Sequence, residues 1–302
     1  MSPLRVGIVG VGNMGGGMAS NLLSRGWAVA VCDIDADKVA ALVGKGAQAL
    51  ASPQLIAQHC DVTIVCVVDA AQTQSVLFGP NGTVSGACGQ RLGKAQAHAV
   101  MLCPTIAPDD VEAMAVALKA KGIDVMDAPL SGGPARAADG TMSVMLACAN
   151  AVHEKYQNVL IALSSKVFRI SERPGDGART KLVNNLLAGI NLVGASEAMA
   201  LAHRLGLDMS TTLNVIEQSS GQSWIGSDRL RRAIADDFAP RAHVTLLAKD
   251  TRLAMDVADA AGFDGPLGHS TRDTFAQALA QGFADWDDAA ILRMMISPRR
   301  GA

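Results

Sequence analysis

The first half of the chain sets short apolar runs, at residues 4–9, 28–32, 62–67, 100–102, 123–126 and 143–147, between longer segments whose apolar residues recur at helical spacing. Continuous apolar runs suit strands buried on both faces. Their alternation with helices predicts βαβ units and a mostly parallel sheet covered on both sides. The punctuation agrees. Ser52-Pro53 places a capping hydroxyl before a proline at the first helical position, and Gly122 closes the helical segment 109–121 where a left-handed cap is expected.

After about Ala178 strand-like runs nearly vanish. Residues 178–205 form one stretch of Ala, Leu, Met, Asn and Val at helical spacing, closed by Gly206, and further helices are predicted at 209–218, 245–261, 270–280 and 287–295. Between the halves, Glu172-Arg173-Pro174-Gly175-Asp176-Gly177 breaks regular structure. The predicted organisation is an α/β domain over 1–171 and an all-helical domain over 172–302, with 297–302 a frayed tail. If the long helix is apolar around most of its circumference, it should pack between subunits, which predicts a homodimer or homotetramer.

Composition narrows the function classes. The 302 residues exceed one ordinary core, and 49% hydrophobic against 18% charged argues against disorder. A net charge of −2 without a basic run offers no source for nucleic-acid attraction. The six cysteines (Cys32, Cys60, Cys66, Cys88, Cys103 and Cys148) show no paired spacing and read as buried thiols in a reducing compartment. The first apolar run begins almost at Met1 and no run approaches about 20 residues, so the expectation is a cytoplasmic protein without a signal peptide or membrane span. The histidines are singletons, none paired at metal-ligand spacing, and no metal is expected. Asp109-Asp110 and Asp287-Asp288 read as compensation of helix dipoles.

Gly10-Val11-Gly12-Asn13-Met14-Gly15 directly follows the first strand and opens a helix, the context of a dinucleotide-binding Rossmann turn. Its glycines permit a tight turn, close approach to a pyrophosphate, and close helix–strand packing. The helix start then offers its N–H groups to phosphate. Asp33 ends the second strand, where a carboxylate accepts from ribose hydroxyls and repels a 2'-phosphate, so NAD is expected rather than NADP. Val67, at the end of the third run, joins the cofactor set. The fold class is thus a doubly wound parallel Rossmann sheet with a C-terminal all-helical domain.

Read with this turn, the segments Asp127-Ala-Pro-Leu-Ser-Gly-Gly133, Gly140-Thr-Met142, Gly177-Ala-Arg-Thr-Lys-Leu-Val-Asn-Asn185 and Lys249-Asp250 make the chain resemble the β-hydroxyacid dehydrogenase family over nearly its whole length. That family includes 3-hydroxyisobutyrate and L-threonate dehydrogenases and tartronate semialdehyde reductases. The resemblance implies an NAD-dependent oxidoreductase of a small 3-hydroxy acid. It assigns the substrate carboxylate to Ser131 and Gly132, with Gly133 adjacent, and catalysis to Lys181 and Asn185. Thr105 would contact the nicotinamide, and Lys249 would lie near cofactor and substrate. The family's usual serine before that threonine is Pro104 here, and Arg136 stands where many members have glycine. Such a cation could recognise an additional carboxylate or hydroxyl.

These residue types suit the chemistry. Oxidising an alcohol needs a base for the hydroxyl proton while hydride leaves carbon, and a lysine serves if burial lowers its pKa. Lys249 nearby could add charge repulsion. Lys181 and Asn185 are i and i+4, so both project from one helix face. Ser131-Gly132-Gly133 offers a hydroxyl and consecutive N–H groups to a carboxylate. Trp224 reads either as a core aromatic or as an apolar wall of the substrate pocket. Three rivals share the fold. An NADP-linked reductase of short aldehydes such as glyoxylate or succinic semialdehyde is opposed by Asp33, and an oxidative decarboxylase by the short helical half. A silent NAD-binding protein is opposed by Lys181 together with Asn185.

Overall fold

A computed structural model describes residues 4–88 and 98–297; of the expected tail, 298–302 lie outside them. The sheet is built from β1 (Val6–Val9), β2 (Val29–Cys32), β3 (Gln48–Ala49), β4 (Val62–Val65), β5 (Ala99–Leu102), β6 (Asp124–Asp127), β7 (Leu130–Ser131), β8 (Met142–Ala147) and β9 (Ser164–Ser171). Its order is β3-β2-β1-β4-β5-β6-β8-β7, with β9 also on β8. Pairing is parallel from β3 to β6, antiparallel where β8 meets β6 and β7, and parallel again between β8 and β9. Strands β1, β2, β4 and β5 are buried at every position. Burial on both faces is the reason their sequences read as unbroken apolar runs.

Helices α1 (Asn13–Ser24), α2 (Ala36–Val43), α3 (Pro53–His59), α4 (Ala70–Phe78), α5 (Thr83–Ala87), α6 (Pro108–Lys119), α7 (Gly133–Asp139) and α8 (Asn150–Leu163) connect the strands. The expected punctuation is present. The Ser52 hydroxyl accepts from Leu55 N at 3.2 Å with Pro53 opening α3, and Gly122 has φ 69° behind α6. Asp109 and Asp110 lie in the first turn of α6.

The remaining helices are α9 (Asp176–Arg204), α10 (Met209–Glu217), α11 (Trp224–Ile234), α12 (Val244–Ala260), α13 (Pro266–Ala280) and α14 (Ala290–Ile296). Two compact units result, Met1–Lys181 and Leu182–Ala302, the division falling inside α9. The core of the second unit gathers Leu192, Ile225, Val244, Leu247, Phe275 and Ile291, with a smaller cluster around Met199, Leu213, Leu230 and Leu292.

One expectation about membranes needs correcting. Helix α9 has 29 residues and an 18-residue stretch of mean hydropathy 1.3, so length and composition alone would let it cross a bilayer. The run was not visible in the sequence because Asn184, Asn185 and Asn191 interrupt it. The helix divides its apolar residues: Leu182, Leu192 and Met199 are buried, whereas Val183, Leu187 and Leu201 are exposed. A helix with one face in a core satisfies the same length and composition test as a membrane span.

Asp287 and Asp288 exceed the role of dipole compensation. Asp287 is fully buried, pairs with buried Arg232 at 2.9 Å, and accepts from the N–H groups of Arg241, Ala242 and Ala289. Burial raises its carboxyl, but Arg232 and those N–H groups outweigh it and hold it at about 2. Burial pushes Asp288 up to about 7 in spite of its partner Arg229. The two act in separate windows. Asp288's contribution to stability is lost as pH rises through about 7; Asp287's is complete above the unfolded value of about 4 and lost as pH falls from there through about 2. Asp287→Asn leaves the buried Arg232 only its looser ion pair with Asp228 at 3.6 Å and is expected to destabilise the protein by about 2 kcal/mol or more at neutral pH. It should also flatten the loss of stability between about pH 4 and pH 2, followed by urea unfolding. An unchanged acid slope would overturn this assignment.

Candidate active site

The glycine turn after β1 is shaped by three different constraints. Gly10 has φ 88°, and a Cβ there would lie 2.5 Å from the Cys66 carbonyl oxygen; a Cβ on Gly15 would lie 1.9 Å from the Gly10 oxygen. Both glycines are required by packing. Gly12 differs, since its Cβ would meet nothing within 4 Å, and it borders a cleft of about 340 Å³ lined also by Val11, Asn13, Lys38, Lys45 and Pro134. No side chain caps α1 at Gly12. An uncapped helix start beside open space fits an anionic group such as a dinucleotide pyrophosphate. Asn13 is exposed and Met14 half-buried.

Asp33 braces this turn. Its Oδ2 accepts from Val11 N at 2.6 Å and its Oδ1 from Asp35 N at 2.9 Å, so the carboxylate at the end of β2 also holds the glycine turn. Lys38, the cation closest in sequence, pairs with Asp35 at 2.8 Å. Val67 lies beside Gly10, its Cγ1 3.0 Å from where a Cβ would stand, and Thr105 is half-buried just beyond β5.

The Ser131-Gly132-Gly133 turn joins β7 to α7, with φ 133° at Gly132 and 75° at Gly133. Helix α7 lies against α1 because Gly17 has no Cβ; one there would sit 2.8 Å from the Ala137 Cβ. The cofactor turn and the Ser131 turn are thereby fixed to one another through packed helices. Arg136 is exposed, but its stem folds over Gly132, its Cδ 2.7 Å from a Cβ built there.

On α9, Lys181 and Asn185 are one turn apart and each only 8% exposed. Asn185 Nδ2 donates to the buried Asp250 at 2.6 Å, and Asn184 Nδ2 donates to Asn185 Oδ1 at 3.0 Å. Because a carboxylate only accepts, Asp250 fixes which way the Asn185 amide faces and leaves Nδ2 a second N–H. Lys249 pairs with Asp250 at 2.9 Å, so its charge is balanced locally rather than presented bare, as the sequence suggested. Asp250 was quoted in the Lys249-Asp250 motif without a role; its signal was adjacency to an assigned residue. Trp224 opens α11 and is 57% exposed, with the Arg229 guanidinium 6.0 Å from its ring, which excludes the core reading. Among the described residues no three His, Cys, Asp or Glu side chains gather as a metal site.

With this geometry in place, known proteins can be compared. Residues 5–171 match the family model of the NAD binding domain of 6-phosphogluconate dehydrogenase. Residues 175–295 match the NAD-binding model of NADP-dependent 3-hydroxyisobutyrate dehydrogenase. The L-threonate dehydrogenase of Cupriavidus necator is 35% identical over 96% of this chain and 95% of its own length. The chain belongs to the β-hydroxyacid dehydrogenase family. The 2-(hydroxymethyl)glutarate dehydrogenase of Eubacterium barkeri is 32% identical over 96% of the chain and 94% of its own. A crystal structure of 3-hydroxyisobutyrate dehydrogenase from Salmonella typhimurium superposes with a TM-score of 0.88 at 36% identity, covering 96% of this chain and 99% of that one. As a β-hydroxyacid dehydrogenase the protein is an NAD(P)-binding oxidoreductase that acts on CH–OH groups.

The glycine geometry separates folding from cofactor binding. Gly12→Ala is expected to keep wild-type stability within about 1 kcal/mol and to weaken NADH binding at least about tenfold, because its Cβ enters only open space. Gly15→Ala, which overlaps backbone, should cost about 2 kcal/mol or more of stability. Thermal unfolding alongside NADH fluorescence titration checks both, and equal stability losses would contradict the division.

Proposed function

We propose that this β-hydroxyacid dehydrogenase oxidises a small 3-hydroxy acid with NAD, and that Lys181 exchanges the hydroxyl proton. The observation that carries the reading is the buried pair Lys181 and Asn185, one turn apart on α9, in a chain whose family likeness runs almost from end to end. The Ser131 hydroxyl and the N–H groups of Gly132 and Gly133 hold the substrate carboxylate. Lys181 Nζ takes the proton of the substrate hydroxyl, and the second N–H of Asn185 Nδ2 orients and polarises the same oxygen. Asp250 keeps that amide in place and balances Lys249, which lies near cofactor and substrate, and Trp224 supplies an apolar wall. Bound NAD would accept the hydride leaving carbon.

NAD is held by Gly10, Gly12, Asn13, Met14 and Gly15 at the phosphates and by Asp33 at the ribose, with Val67 and Thr105 lining the path to the nicotinamide. The selectivity for NAD rests on Asp33, whose carboxylate at the end of β2 a 2'-phosphate would meet, the nearby Lys38 being already paired with Asp35. Residues 1–171 then serve the cofactor, and 172–302 serve substrate and subunit assembly. The exposed apolar residues of α9, Val183, Leu187 and Leu201, with Leu205 just past its end, support a homodimer or homotetramer. The protein is proposed to work in the cytoplasm on a free small molecule, without nucleic acid.

A specific observation favours a second substrate reading, L-threonate. Arg136 lies over the Ser131 turn, where a guanidinium would reward additional hydroxyls, and the threonate dehydrogenase of Cupriavidus necator matches the chain over nearly its whole length. The test is a screen of 3-hydroxyisobutyrate, L-threonate, D-glycerate, L-serine and 4-hydroxybutyrate with NAD and with NADP, read at the nicotinamide absorbance. No turnover with any hydroxy acid would overturn the reading. Lys181→Ala should lower turnover by at least about 100-fold with NADH affinity unchanged. Arg136→Ala should reduce efficiency selectively for polyhydroxylated acids, by about tenfold, while sparing methyl-bearing ones. Equal losses for both substrate types would remove Arg136 as a specificity residue.

A further inference from the structure

A second buried carboxylate takes no part in that proton transfer. Asp127 ends β6 and is 1% exposed. Its Oδ2 accepts from Gly175 N at 2.7 Å and Ala178 N at 3.2 Å, and the N–H of Gly177 is also directed to it. These are the first N–H groups of α9, which lack partners within the helix and are ordinarily capped by a side chain just before it. Here the cap comes from a strand 48 residues earlier in the sequence. Asp176, the acid nearest to hand, is turned instead to Ser171, Arg173 and Arg179.

Close approach makes this contact specific. A Cβ on Gly177 would lie 2.9 Å from the Asp127 carboxylate and 2.7 Å from the Met145 oxygen, so α9 can begin against the sheet only with glycine there. Immediately after Asp127 the chain runs through Ala128-Pro129-Leu130 into the Ser131-Gly132-Gly133 turn. Lys181 lies almost one helical turn beyond Ala178. A single carboxylate therefore sits at the root of both the turn assigned to the substrate carboxylate and the helix assigned to the proton.

Net stability is a poor account of it. Burial pushes the Asp127 carboxyl up to about 6 despite its three N–H donors, and Asp176 adds repulsion; the buried Cys103 thiol feels the same charge. A carboxyl raised in the fold gives up its stabilising contribution as pH rises from about 4 through about 6, so at neutral pH the ionised group costs stability. Such a group contributes a defined placement rather than strength.

We propose that Asp127 is a positioning residue: by tying the first turn of α9 to the end of β6, it sets where Lys181 stands relative to the Ser131 turn. The inference rests on Lys181 being the acid/base. Asn at this position keeps an acceptor oxygen of the same shape, whereas Ala keeps none. With the full-length protein, NAD and the best hydroxy acid of the screen, Asp127→Ala should lower kcat by about 10- to 100-fold. KM for the acid and the Kd of NADH should stay within about 2-fold. Asp127→Asn should recover most of the loss, about 3- to 10-fold below wild type, and the same variant carries the test if the alanine protein does not fold. Amide hydrogen exchange over residues 176–182 should quicken in both variants, most in Asp127→Ala. Wild-type kcat in both variants, or unchanged exchange at the start of α9, overturns the proposal. Lys181→Ala separates the two readings. If it loses turnover while the Asp127 variants keep theirs, only the positioning role fails; if it keeps wild-type turnover, the acid/base assignment itself is wrong.

Discussion

Backbone segments in the first unit approach one another more closely than any side chain would allow. At Gly15 a Cβ would stand 1.9 Å from the Gly10 oxygen, at Gly17 2.8 Å from the Ala137 Cβ, and at Gly177 2.7 Å from the Met145 oxygen. These contacts bring α1 onto β1, α7 onto α1, and the start of α9 onto the sheet. The residues of that unit assigned to phosphate and carboxylate border the starts of α1 and α7, and Lys181 lies in the second turn of α9. The requirement for close approach ties these segments to one another, because a side chain at any of the three glycines would force the packed backbones apart.

How much of this was legible in the sequence follows from the physics of each element. Strands buried on both faces announce themselves as apolar runs, and helices with a proline start or a glycine end announce their limits, so β1, β2, β4, β5, α3 and α6 were readable. Strands β3 and β7 have two residues each, too few for any period. Strand β9 reads Ser-Ser-Lys-Val-Phe-Arg-Ile-Ser and is buried only at its first residue, so it carries no buried run to notice; its place comes from pairing with β8. Helix α11 was missed because Trp-Ile-Gly-Ser resembles a loop, although Ser223 caps it by accepting from Gly226 N at 3.1 Å. The residues of the glycine turn and the pair on α9 were readable from motif and spacing. What lay hidden were partners distant in sequence: Asp127 for the start of α9, and Asp250 for Asn185 across 65 residues. Side-chain contacts over such separations leave no periodic trace.

The carboxylates of this chain share a habit that bears on mechanism. Asp33 accepts from Val11 and Asp35, Asp127 from the start of α9, Asp287 from three backbone N–H groups, and Asp250 from Asn185. Each is spent on orienting a donor. N–H groups that donate to a carboxylate favour its ionised form, since accepting a proton forfeits those bonds, although at Asp127 burial outweighs them and raises the carboxyl to about 6. The carboxylates at the assigned site therefore act as organisers of their neighbours, which is consistent with the proposal that gives the proton to the amine of Lys181. Asp250 does this in two directions at once. It balances Lys249, and by accepting only, it takes one N–H of Asn185 Nδ2 while Asn184 donates to Oδ1, so both ends of the amide are fixed and one Nδ2 N–H is left for the role proposed for it. An asparagine with neither partner could turn either its oxygen or its N–H groups outward, and only the second arrangement suits the donor role proposed for Asn185.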